Sequence, residues 1–281
     1  MGIVIAIFSP GAMGSAIAAR LVAHGARVLA SLDGRSAATA ARARAAGMED
    51  ASLARMLAAD LVLSILPPGE ARALAARLAP HLSASRHKPV YIDCNALSPH
   101  TKSEVAGIIA PTGCDFIDGA IVGLPPKPGD KGPRIYVCGD KRERASVLGT
   151  LGLDLRPIEG GIGAAAALKM SYAGINKGVT AIGVAMLLAA SRAGAAEGLH
   201  RELRESLPDL FAKFQTGMPG MMPKAYRWVA EMREIAAFLG DDEGAAMMFE
   251  GAARVFARIA ADVAGDGREC GVLEAFFREG K

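Results

Sequence analysis

The sequence predicts an α/β fold: an N-terminal doubly wound parallel sheet, one long helix, and an all-α C-terminal domain. Three observations carry this. Continuous apolar runs of strand length recur through the first half, beginning with Ile3-Val4-Ile5-Ala6-Ile7-Phe8, and helical stretches separate them. Such runs mark strands covered on both faces, as in a parallel sheet flanked by helices. The cluster Gly160-Gly161-Ile162-Gly163 then opens a proline-free run to at least Ser191, which reads as a helix of about 29 residues, roughly 43 Å long. Beyond it only helical patterns occur. The domains are placed at 1–160 and 161–281, and a chain of 281 residues is long enough for a core in each.

The first strand runs into Ser9-Pro10-Gly11-Ala12-Met13-Gly14 and then into an amphipathic stretch over residues 15–24. Strand, glycine turn and helix form the first unit of a Rossmann-type dinucleotide fold. Gly11 lets the backbone approach a pyrophosphate, and Gly14 permits close packing of helix on strand. The helix start offers free N–H groups and a positive dipole end. Gly11, Ala12, Met13 and Gly14 are therefore the candidate phosphate turn, with Ser9 at the first position of G-x-G-x-x-G.

A second strand is expected over residues 27–32. Its end should read the adenosine ribose, an acidic residue favouring a free 2′-hydroxyl and a basic one a 2′-phosphate. Leu32-Asp33-Gly34-Arg35-Ser36 holds both signals. The favoured reading is NADP, with Arg35 and Ser36 at the phosphate; the alternative is NAD, bound through Asp33.

Further strands are expected at 61–66, 90–95, 116–121, 134–138 and 153–157, with helices at 70–82 and 101–110. Ligands bind beyond the carboxyl ends of such strands. Leu66, Pro67 and Pro68 would line the adenosine side, and Asn95 would approach the nicotinamide. In the second half, helices are expected at 202–214, 225–239 and 243–263, with the methionine-rich stretch 217–223 as a connector.

In the long helix, Lys169, Tyr172, Ala173 and Asn176 share one face by their spacing. A lysine among alanines loses solvation, so its charged form becomes costly and its pKa falls into a range useful for proton exchange with a substrate oxygen.

Composition narrows the function classes. Thirty-two basic residues against 29 acidic ones give a net charge of +3 with no basic block, which argues against a nucleic-acid partner. The cysteines, Cys94, Cys114, Cys138 and Cys270, form no C-x-x-C, and the histidines show no metal-ligand spacing. No metal is expected. The N-terminus lacks the basic residues of a signal peptide, and the most apolar run, residues 178–191, falls short of the ~20 residues needed to span a bilayer. The expectation is a cytoplasmic protein without membrane association.

Together these pieces resemble the β-hydroxyacid dehydrogenase family, which includes 3-hydroxyisobutyrate and 6-phosphogluconate dehydrogenases. The resemblance rests on Gly11-Ala12-Met13-Gly14, Leu66-Pro67-Pro68, Asp93-Cys94-Asn95 with Pro99, Asp118-Gly119-Ala120-Ile121-Val122-Gly123, and Gly160-Gly161-x-Gly163 with Lys169 six residues later. It implies that Lys169 is the acid/base of a hydride-transfer reaction. Where the family usually carries asparagine four residues after the lysine, this chain has Ala173. In the substrate loop of Val122, Gly123 and Leu124, valine replaces the family's serine and leucine its second glycine. A substrate carboxylate would lose donors there, so a substrate other than an ordinary 3-hydroxy acid is expected. Tyr172 and Asn176 would orient it in place of the missing asparagine, and Lys127, Lys131 and Arg134 could supply a cation for an acidic one.

The expected function is thus an NAD(P)-dependent dehydrogenase or reductase acting on CH–OH groups of a small molecule. One alternative is an imine reductase on the same fold, against which Lys169 argues. The other is a non-catalytic NADP(H)-binding sensor or subunit. The apolar surface of the long helix and of residues 245–261 predicts a homodimer joined through the C-terminal helices.

Overall fold

The computed structural model describes residues 2–127 and 129–278. Pro128, inside the predicted loop 125–133, lies outside the described residues, as do the first residue and the last three.

The first unit spans Met1–Met170. In order it contains β1 (Val4–Phe8), α1 (Ala12–Ala23), β2 (Arg27–Ala30), α2 (Ala37–Ala45), β3 (Glu49–Asp50), α3 (Leu53–Leu57), β4 (Leu61–Ser64), α4 (Ala71–Ala84), β5 (Val90–Asp93), α5 (Pro99–Ile109), β6 (Phe116–Val122), β7 (Arg134–Cys138), α6 (Val147–Thr150) and β8 (Asp154–Pro157). The strands form one sheet in the order β3-β2-β1-β4-β5-β6-β7-β8. The order reverses between β1 and β4, which makes the crevice at their carboxyl ends the topological switch point.

Seven strands lie where the apolar runs place them, and β3 escaped prediction because Glu49 and Asp50 are not apolar. One pairing departs from the predicted parallel sheet, since β6 and β7 are antiparallel. The residues between them, 123–133, are too few for a helical crossover, so the chain must turn back on itself. Two apolar cores flank the sheet. One gathers Ile5, Ile7, Ile17, Leu21, Leu63 and Ile92. The other gathers Met56, Val62, Leu74, Leu78, Tyr91 and Val105.

The long helix α7 runs Ala164–Arg192, the predicted 29 residues. The division between units falls inside it, after Met170 rather than after residue 160. By length and composition α7 could cross a membrane, with a mean hydropathy of 1.5 over its most apolar stretch. Its small residues have another use. A methyl group on Gly183 would come within 2.7 Å of the Phe214 ring and 2.8 Å of Met218, so the absence of a side chain is what lets these groups pack on the helix.

The second unit, Ser171–Lys281, continues with α8 (Ala196–Ser206), α9 (Pro208–Met221), α10 (Ala225–Leu239), α11 (Glu243–Ala264) and α12 (Arg268–Phe276). The helix predicted at 202–214 is two helices, because Pro208 ends one and occupies the first turn of the next. The expected connector 217–223 is also corrected: α9 continues through Pro219 to Met221 before a short 3-10 turn, Met222–Lys224. Met218, Met221 and Met222 are buried, and that burial offsets the hydrogen bond the proline removes. Trp228 on α10 meets Phe256 on α11 edge-on at 5.1 Å.

Candidate functional site

A cleft of about 570 Å³ opens at the switch point, lined by Phe8 at the end of β1 and Ser9 beyond it, Asp33, Gly34 and Arg35 beyond β2, Leu66 beyond β4, and residues of α3 and α4. Its phosphate end is built by the glycine turn. A side chain at Gly14 would sit 2.6 Å from the Ser9 carbonyl oxygen, so only glycine lets α1 start this close to β1. Gly11 is the N-cap of α1 and provides no side-chain cap, leaving first-turn N–H groups for an incoming anion. Ser9, at the first position of the glycine pattern, has φ of 70°, a left-handed conformation uncommon for serine.

The ribose end brings Asp33 and Arg35 together, both exposed on the same cleft. Ser36 is the N-cap of α2, its hydroxyl accepting from the Thr39 N–H at 3.3 Å. Arg77 and His81 of α4 also line the cleft, with Leu53 and Met56 of α3 and Leu74 of α4 forming an apolar wall. Among the described residues the side chains of Asp33, Arg35 and Arg77 enter no hydrogen bond or ion pair. These features fit a dinucleotide whose adenosine lies in the apolar part and whose phosphates meet the glycine turn and the arginines. Leu66 is half-buried at the cleft, while Pro67 and Pro68 are exposed beside it. Sequence reading missed Arg77; its place three residues after the buried Leu74 was the available signal.

Asn95 is buried and its carboxamide is committed within the protein. Its oxygen accepts from the Leu66 N–H, and its nitrogen donates to Ser64 Oγ at 2.8 Å and to Asp93 Oδ2 at 3.2 Å. It ties the end of β5 to the end of β4, so its side chain shapes the crevice from beneath rather than extending towards a nicotinamide.

Below Asn95 lies a charge cluster with Lys102 at its centre. Lys102 is fully buried on α5 and donates to Asp93 Oδ1 at 2.6 Å, with Asp118 Oδ1 at 3.4 Å. Burial alone would lower its pKa, but Asp93 and then Asp118 outweigh it and hold the ammonium above the ordinary lysine value. Asp118, on β6, accepts through Oδ2 from the N–H groups of Gly163 at 2.9 Å and Ala166 at 3.3 Å, so it caps α7. Lys102, Val105 and Ile109 share the buried face of α5 at helical spacing, and a lysine on that stripe is the signal that could have found it.

Lys169 stands half-buried at the same end of the sheet. Its pKa is lowered to about 8, first by desolvation and then by repulsion from Lys102, against weaker opposing effects of Cys94 and Asp93. Burial pushes the Cys94 thiol up to about 12 and the Cys138 thiol up to about 11, so both stay neutral. Among the described residues no group of His, Cys, Asp and Glu could hold a metal ion.

In the predicted substrate loop Val122 is buried, whereas Gly123 and Leu124 are exposed, Leu124 at 76%. The loop is held from α1: Arg20 donates to the carbonyls of Lys127 and Asp130 and to Asp130 Oδ1, at 3.1, 2.8 and 2.8 Å. Lys127, Lys131 and Arg134 are all exposed. In the second unit, Tyr172 and Asn176 are exposed on α7 and Ala173 is half-buried. Lys177 there pairs with Glu231 and lies over the Trp228 ring, 4.9 Å from its centre.

Comparison with known proteins places this geometry. Residues 4–152 match the model of the NAD binding domain of 6-phosphogluconate dehydrogenase, and residues 190–259 match a domain of unknown function, DUF1932. No curated protein sequence matches. Among solved structures, a conserved protein from Sinorhizobium meliloti 1021 is similar at 29% identity over 99% of this chain and 97% of that one, with a TM-score of 0.77. A conserved protein described as structurally similar to 3-hydroxyacid dehydrogenases is similar at 27% identity, over 93% of this chain and 98% of that one, with a TM-score of 0.76. The fold is shared with Mycobacterium tuberculosis 3-hydroxyisobutyrate dehydrogenase, at 23% identity over 93% of this chain and 95% of that one and a TM-score of 0.69. The family match covers more than half of the chain, and the glycine turn, switch-point cleft and sheet order agree with it: the chain belongs to the family of the 6-phosphogluconate dehydrogenase NAD-binding domain, on the fold of the 3-hydroxyisobutyrate dehydrogenases.

Proposed function

We propose that the protein is an NADP-dependent oxidoreductase acting between a carbonyl and a hydroxyl carbon of a small substrate, with Lys169 as the general acid/base. The observation that carries this reading is Lys169 itself, half-buried at the strand ends with its pKa lowered to about 8. At that value both protonation states are accessible near neutrality, which is what a residue that must both give and take a proton requires. A nicotinamide dinucleotide, when bound, would supply the hydride chemistry. In reduction the Lys169 ammonium protonates the forming alkoxide, and in oxidation its free amine takes the hydroxyl proton. We assign substrate contacts to Val122, Gly123 and Leu124 in the first unit and, on α7 in the second, to Ala173 and to Tyr172 and Asn176 as orienting residues. Apolar groups at Val122 and Ala173 favour a substrate less acidic than an ordinary 3-hydroxy acid.

Preference for NADP is supported by Arg35 and Arg77, two cations on the ribose side of the cleft that have no side-chain partner among the described residues. We further propose a cytoplasmic homodimer joined through the C-terminal helices. Ile175, Ile182 and Met186 on α7, with Met247 and Met248 on α11, are each more than half exposed, which supports a partner surface there.

The test is calorimetric titration with NADPH and NADH, followed by a carbonyl-reduction screen on wild type and Lys169→Ala. NADPH should bind more tightly, and Arg35→Ala or Arg77→Ala should weaken NADPH about tenfold while changing NADH little. Lys169→Ala should cost about 10² to 10⁴ in turnover. Turnover within a few-fold of wild type would rule out Lys169 as the proton carrier, and cofactor binding with no turnover on any carbonyl would favour a sensor or subunit.

A further inference from the structure

Lys102 takes no part in the proposed chemistry, yet more structure converges on it than on any of the exposed lysines. Its ammonium has no access to solvent, and besides the two carboxylates it reaches the carbonyl oxygens of Asp93 at 2.8 Å, Gly119 at 3.3 Å and Asn95 at 3.4 Å. These belong to the end of β5 and the middle of β6, the strand that runs on into the proposed substrate loop. Asp118 continues the chain of contacts to α7. Gly163 and Ala166, the residues whose N–H groups it binds, precede Lys169 by six and three positions, so Ala166 shares the Lys169 face one turn earlier. Cys138 completes the bracket, donating to Asp118 Oδ2 at 3.2 Å and accepting from the Ala165 N–H at 3.1 Å.

A cationic side chain in the interior is costly unless paired. A neutral residue at position 102 would leave Asp93 and Asp118 facing each other as two buried anions. The arrangement therefore needs a positive charge at this point, and that charge is close enough to oppose a second one on Lys169. The groups acting on the Lys102–Lys169 pair are Asp93 at the end of β5, Cys94 just beyond it and Asp118 of β6, and Cys138 of β7 donates to Asp118.

We infer that Lys102 is a positioning residue for the reaction: it fixes Asp118 as the cap of α7, so setting where Lys169 stands, and its fixed charge keeps the Lys169 amine available in its neutral form. This rests on Lys169 being the proton carrier, but its test does not. The measurement is competitive acetylation of the protein with isotopically labelled acetic anhydride between pH 6 and 10, reading the Lys169 peptide by mass spectrometry. Only the neutral amine reacts, so labelling against pH reports the midpoint without a substrate.

In Lys102→Met the midpoint should rise by about one pH unit or more, lowering Lys169 labelling at pH 7 roughly tenfold. Because that variant leaves two unpaired buried anions and can fail to fold, the paired variant Lys102→Met/Asp118→Asn is made alongside. It keeps the net charge of the cluster, and the amide oxygen can still cap α7. A rise is expected there too, because Asp93 and not Asp118 is the carboxylate that acts on Lys169, and labelling of the exposed lysines should be unchanged in both. A Lys169 midpoint unchanged within a few tenths of a unit in the folded paired variant would overturn the inference. A shifted midpoint in an enzyme whose turnover survives Lys169→Ala would instead uphold the electrostatic coupling and defeat the proton-carrier reading.

Discussion

Two lysines near one end of the sheet meet opposite fates because their neighbours differ. Lys102 is enclosed by carboxylates and stays charged, whereas Lys169 loses water without gaining an anion of its own. The direction of the second shift fixes a pH dependence. On the proposed role of Lys169, oxidation needs the free amine, so its rate should climb as pH rises through about 8 and level off above; reduction needs the ammonium and should fall over the same interval. Initial rates in both directions on one substrate pair check this, and parallel profiles would contradict it. Ser9 offers a second prediction at this scale. Left-handed backbone costs a non-glycine residue about 1 kcal/mol, so Ser9→Gly should raise stability by about that amount in urea denaturation. Lys169 was legible from its alanine surroundings and from the family motif. Lys102 was not, because its partners are 9 and 16 positions away in sequence and come together only when β5, β6 and α5 pack.

At the scale of elements, α7 shows what sequence conveys well and what it does not. Its length followed from the proline-free run after Gly163, and it was found as predicted. The faces it uses were less visible, because glycine has no polarity to plot around a helix. Gly183→Val should therefore do more than restrict the backbone: its side chain would enter space filled by Phe214 and Met218 and cost about 1–3 kcal/mol, measurable as a lower denaturant midpoint. Similar reasoning explains the errors around α9. Pro208 and Pro219 read alike in sequence, yet one starts a helix and the other sits within it, since tertiary burial of the methionines beside Pro219 decides the matter. The buried strands were legible for the reverse reason. Being covered on both faces, they are apolar throughout, and only polar β3 at the sheet edge left no trace.

For the whole molecule, the doubly wound order and the all-helical second half could be read from alternation and its disappearance. The antiparallel return of β7 could not, since strand direction is set by a loop whose length alone hints at it. Oligomeric state is the prediction proper to this scale. Light scattering at micromolar concentration should give twice the chain mass, and Ile182→Asp should halve it if the exposed face of α7 is the contact; a wild-type monomer would refute the dimer.

Arg20 bears on how such a chain can diverge. Two of its three hydrogen bonds to the β6–β7 connection end on main-chain oxygens, and the third ends on Asp130. The latch thus reads the path of the loop and a single carboxylate, leaving most of the side chains it carries unconstrained. A lineage can rewrite that surface while the strand beneath and the helix behind stay as they are.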